Sequence, residues 1–163
     1  MNSLVKNLIS AINKLKTNQV PLKQNYLSEQ VLQIVFQIGR SGLEVTKEDS
    51  AVIGPLIEEI IPSLEHCIFD LGLSFDSDRG QYNLILRSGV QFLLDNFKGF
   101  QAASDKVLAD SLKYIKDSES LQTLDDELAT WKNDPVVSLE SVPHSTADLV
   151  RPVGVPESHN WWS

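Results

Sequence analysis

The sequence has 163 residues, 42% hydrophobic and 22% charged, with a formal net charge of −8. That is enough apolar material for one domain with a real core, so neither disulfides nor a structural metal are required. The acidic balance argues against nucleic-acid binding, which needs clustered Lys and Arg, and the single cysteine, Cys67, rules out an internal disulfide and any multi-cysteine metal site.

Residues 3–17 place Leu4, Val5, Leu8, Ile9, Ile12 and Leu15 at spacings of three and four, which predicts an amphipathic helix with Ser3 as N-cap. Lys6, Lys14 and Lys16 lie off the stripe. Such a helix suits an anionic membrane surface as well as a core, but it carries no Trp or Phe, so core packing is the expectation. A second helix is expected within 21–40, with Leu22, Tyr26, Val31, Leu32, Val35 and Ile38 as its stripe and Gly39 or Gly42 as its stop. Thr46 caps a third run, over 47–72. Pro55 and Pro62 inside it predict two helices or one sharply kinked helix, ending at Gly72.

Residues 74–80 read as a polar turn. Asp76, Asp78 and Gly80 faintly resemble a calcium loop, but Arg87 occupies the place of the bidentate acid, which leaves a helix-capping turn as the expectation. The helix over 80–97 is apolar around nearly its whole circumference, from Tyr82 and Leu84 to Phe97, and is expected at the centre of a bundle. Gly89 within it suggests a close helix crossing. After Gly99, a helix over 101–117 turns Ala103, Val107, Leu108, Leu112 and Ile115 inward. A last one over 119–132 aligns Leu121, Leu124, Leu128 and Trp131, with Asp125, Asp126 and Glu127 near its outer side.

From residue 133 the helical period stops. Pro135, Pro143, Pro152 and Pro156 predict an extended arm. The expected fold is therefore all-α: an irregular bundle of five to seven helices over 1–132, followed by an extended Pro-containing C-terminal tail over 133–163. A short solenoid-like stack of helical hairpins is the alternative.

Charge is unevenly placed. Lys6, Lys14, Lys16 and Lys23 face no acid within residues 1–25, whereas residues 44–78 hold nine acids against Lys47 alone. The two faces are expected to attract one another within the fold or to face water. His66 and Cys67 are adjacent, so on a helix they diverge and form no nucleophile–base pair. His66 does share helical spacing with Glu59 and Asp70, which defines the one enzyme reading the sequence permits. His144 and His159 carry no ligand spacing for a metal, and no phosphate loop or hydrolase elbow is present. No cofactor and no small-molecule substrate are expected.

The tail stands apart because it ends in Trp161 and Trp162. Each can bury about 150–250 Å², or on the order of 4–6 kcal/mol gross, so both are expected to dock on an apolar surface: the chain's own body, another protein or a second copy. This points to a non-enzymatic protein–protein interaction module, an adaptor, regulator or small assembly subunit. Its contact residues would be Arg151, Val153, Val155, His159, Trp161 and Trp162. No apolar run approaches the ~18 residues of a transmembrane helix and the first residues lack a secretory signal, so a cytoplasmic setting is expected.

Overall fold

The computed structural model describes residues 1–95, 106–133 and 151–162, and all six α-helices among them come from the apolar periodicities above. They are α1 (Ser3–Lys16), α2 (Gln24–Ser41), α3 (Lys47–Leu73), α4 (Gln81–Asp95), α5 (Lys106–Lys116) and α6 (Glu119–Asn133). Single 3-10 turns cover Pro21–Lys23, Ser77–Arg79 and Asn160–Trp162. No strand occurs among the described residues, and no helix there is long and apolar enough to cross a membrane. The expectations for Phe97, Gly99, Ala103 and the inward side chains of Val107 and Leu108 lie outside the described residues, as do those for 134–150.

The stripe of α1 is spent on the core: Val5, Leu8, Ile12 and Leu15 are buried. Its N-cap is Asn2 and not Ser3, because the Asn2 Oδ1 accepts from Leu4 N at 2.8 Å. Gly42 closes α2 in the left-handed conformation (φ 71°). Thr46 caps α3 as expected, its hydroxyl accepting from Asp49 N at 3.1 Å. The turn before α4 is a capping turn, with Asp76 Oδ1 accepting from Asp78 N at 2.9 Å.

Three expectations are narrowed or corrected. First, of the two courses expected for the proline-bearing run, one helix is found and not two: α3 continues through Pro55 and Pro62. Both prolines are on its exposed side, so the turns they interrupt lie at the surface, where a lost backbone hydrogen bond is least costly. Second, the hub of the bundle is α2 with α3, not α4: α2 carries α1 and α4, and α3 carries α5 and α6. Because α4 skips α3 to lie on α2, the helices form an irregular bundle and not a sequential stack. Third, within the tail expected to be an extended arm, the described residues 151–162 form a series of turns. Val155 N donates to Pro152 O, His159 N to Pro156 O and Trp162 N to His159 O, so each proline opens a tight turn. Gly154, at φ 87°, supplies the left-handed position in the first.

Glycines set the close approaches. A Cβ on Gly89 would lie 2.3 Å from the Leu32 carbonyl oxygen, so α2 and α4 touch backbone to backbone, as the sequence suggested. Gly39 makes room for the Phe92 ring, and Gly72, within α3 and not past its end, admits the backbone of α6 at Leu124.

Candidate functional site

The C-terminal segment 151–162 lies on the body where α2 and α4 cross. Trp162, Val155 and His159 are buried there. Trp162 stacks on the fully buried Phe36 of α2 (centroids 6.5 Å apart), and His159 meets Phe92 of α4 edge-on at 4.7 Å. Trp161 is half-buried, stacked on His159 at 4.9 Å, with the Arg87 guanidinium 4.1 Å from its ring. Gly154 passes so close to Arg40 that a Cβ there would lie 1.9 Å from the Arg40 carbonyl oxygen.

All three rings converge on one hydroxyl. Ser88, fully buried on α4, accepts from Trp162 Nε1 at 2.6 Å and from Trp161 Nε1 at 2.9 Å, and His159 Nδ1 lies 3.1 Å from the same oxygen. An indole N–H only donates, and a hydroxyl accepts twice and donates once. The two indoles therefore fill the acceptor positions of Ser88, whose proton goes to His159 Nδ1. That fixes His159 as the neutral tautomer with its proton on Nε2. Burial, then the nearby Arg87 charge, hold its pKa down to about 4, with Asp95 acting in the opposite sense.

A polar chain steadies the node from outside. Arg87 is buried and binds Asp125 of α6 through Nε–Oδ1 (2.6 Å) and Nη2–Oδ2 (3.3 Å), and Gln91 at 3.1 Å. Asp125, expected near the outer side of α6, thus turns inward to neutralise a buried guanidinium, as such a charge requires. Trp161, Asn160, Asp125 and Lys132 border a depression of about 520 Å³ between the segment and α6.

Of the contact residues expected from sequence, Val155, His159, Trp161 and Trp162 come together on the chain's own body. Val153 is 87% exposed. Arg151 faces Glu157 within the segment (3.8 Å). Ser88, Arg87, Asp125, Phe36 and Phe92 were not anticipated. The signal was present: Arg87 and Ser88 stand in the middle of a largely apolar helix, and a buried polar group needs a partner. No known protein family, curated protein or solved structure matches the chain.

The three residues of the enzyme reading do not all come together. His66 is exposed beside Asp70 (3.4 Å), whereas Glu59 pairs with Lys16 of α1, joining the basic and acidic faces at that point. Close by, a polar cavity of about 260 Å³ is lined by Asn25, Glu29, Cys67, Asp70 and Arg79. Glu29 and Arg79 occupy one another through two hydrogen bonds of 2.7 and 2.8 Å. Burial, reinforced by Glu29, pushes the Cys67 thiol up to about 12, which leaves it protonated and a poor nucleophile. No group of residues suited to hold a metal ion occurs among the described residues.

Proposed function

We propose that this protein is a non-enzymatic interaction module of the cytoplasm in which the groove between α2 and α4 is a receptor for a peptide that carries a Trp pair. In this reading the peptide is the chain's own 151–162 segment, and the same element on a second copy or on another protein competes for the groove. One observation carries the reading: the convergence of two indole N–H groups and one imidazole nitrogen on the single buried hydroxyl of Ser88. Nonspecific burial of aromatic rings needs no such stoichiometry, whereas recognition does, because a peptide lacking one of the rings leaves a buried polar atom unpaired. The setting in the cytoplasm is consistent with a lone, buried cysteine.

The test uses a fluorescent peptide of residues 149–163 and the full chain. Trp162→Ala weakens the cis occupant, so the peptide is expected to bind this variant about tenfold or more tightly than the wild type, whose groove is filled. Equal binding to both, or none to either, would reduce the segment to a part of the fold.

A further inference from the structure

The outward side of α3 repeats at alternating spacings of three and four: Val52, Pro55, Pro62, His66, Phe69 and Leu73 are all exposed, with Glu59 the one acid in the series. Val52, Phe69 and Leu73 are 48%, 46% and 67% exposed, and His66 stacks on Phe69 with ring centroids 6.5 Å apart. The opposite side, Ile53, Ile57, Ile60, Leu64 and Ile68, is buried in the core. A helix apolar on both sides belongs between two layers. Here the core supplies only one of them.

Charge says what fits the other side. Along α3, Glu48, Glu58, Glu65 and Asp70 flank the apolar line, and Lys47 is the only lysine or arginine of the helix. Beside it a depression of about 640 Å³ is bordered by Glu65, Asp110, Asp117 and Glu119, with Lys113 as its single cation and Tyr114 standing 61% exposed at its rim. An anionic bilayer would be repelled by this border, and an apolar stripe alone would not discriminate among partners.

We propose that the outer face of α3 docks an amphipathic helix of a partner protein whose apolar stripe is flanked by Lys or Arg. Phe69 and Leu73 are its anchors, and Glu65 with Asp117 set the charge preference. The surface shares no residue with the Ser88 groove, so the two readings stand or fall separately.

The test takes the full chain and a designed helical peptide of about 22 residues, long enough at about 1.5 Å per residue to reach from Val52 to Leu73. The peptide carries Leu at three–four spacing with flanking Lys, and a counterpart has Glu in place of Lys. In amide-resolved NMR the Lys peptide is expected to shift residues 52–73, and the Glu peptide to bind about tenfold more weakly or worse. Phe69→Ser with Leu73→Ser should weaken binding by a similar factor without lowering the melting temperature, since both side chains face water. Glu65→Lys with Asp117→Lys should narrow the gap between the two peptides. Equal binding of both peptides, shifts that fall outside α3, or undiminished binding by the Phe69/Leu73 variant would overturn the proposal. So would a response of α3 to phosphatidylserine vesicles in place of the peptide.

Discussion

A serine hydroxyl has one proton and two lone pairs, and at Ser88 each of the three is assigned to a different ring of the C-terminal segment. Ser88→Ala removes all three partners at once but changes almost no volume, so it isolates the polar term from the apolar one. Two indole N–H groups and one imidazole nitrogen would be left without partners, and the expected cost is about 2–4 kcal/mol. For a chain of this size that lowers the melting temperature by roughly 5–15 °C, read by calorimetry. Tryptophan emission should shift to the red as Trp161 and Trp162 reach water. A variant that melts like the wild type would mean that the rings are held by stacking on Phe36 and Phe92 alone. At this scale the sequence was half legible. Two Trp near its end had to dock on something, but which hydroxyl receives them depends on a crossing angle that no single residue encodes.

The helix pair α2 and α4 is where that crossing is set. Gly89→Ala puts a methyl 2.3 Å from the Leu32 carbonyl oxygen, a backbone atom that moves only if the helices part. The expected loss is about 2–3 kcal/mol, measured by urea denaturation. Gly42→Ala is the control: it stands in open space at φ 71°, and its penalty, about 1 kcal/mol, is local strain only. Comparable losses at the two positions would show that the crossing is looser than its geometry implies. Helix existence was readable because apolar stripes repeat along α1, α3 and α6 and over residues 31–38 of α2, although Leu22 and Tyr26, expected in the α2 stripe, are exposed. The choice between one helix and two for α3 was not, because a proline costs little or much according to whether the turn it interrupts is exposed, and sequence does not say which. The central place expected for α4 failed for a related reason: its full apolar circumference reflects cover from two directions, α2 on one side and the C-terminal segment on another. The turns of that segment escaped notice because a proline opening a turn and a proline stiffening an extended arm look alike until the i to i+3 hydrogen bonds are seen.

For the molecule as a whole, the segment 151–162 makes the α2–α4–α6 side of the bundle depend on the protonation of one histidine. His159 must be neutral when docked, because its Nδ1 receives the Ser88 proton, and burial together with Arg87 keeps its pKa near 4 against an ordinary 6.5. A native pKa below the unfolded one means that the unfolded chain takes up the proton first. Stability is therefore complete above about pH 6.5, falls as the pH drops, and stops falling from this source below about pH 4. Between pH 7 and pH 5 the linkage amounts to roughly 1–2 kcal/mol, in a window where carboxylates of ordinary pKa stay ionised. The expected observation is a fall in the urea midpoint of the wild type across that interval. His159→Gln offers Ser88 an amide oxygen as acceptor but does not titrate, and its midpoint should stay nearly flat while its stability at pH 7 is somewhat lower. If the glutamine variant shows the same fall as the wild type, another group is responsible, and the assignment of the Ser88 proton to His159 is wrong.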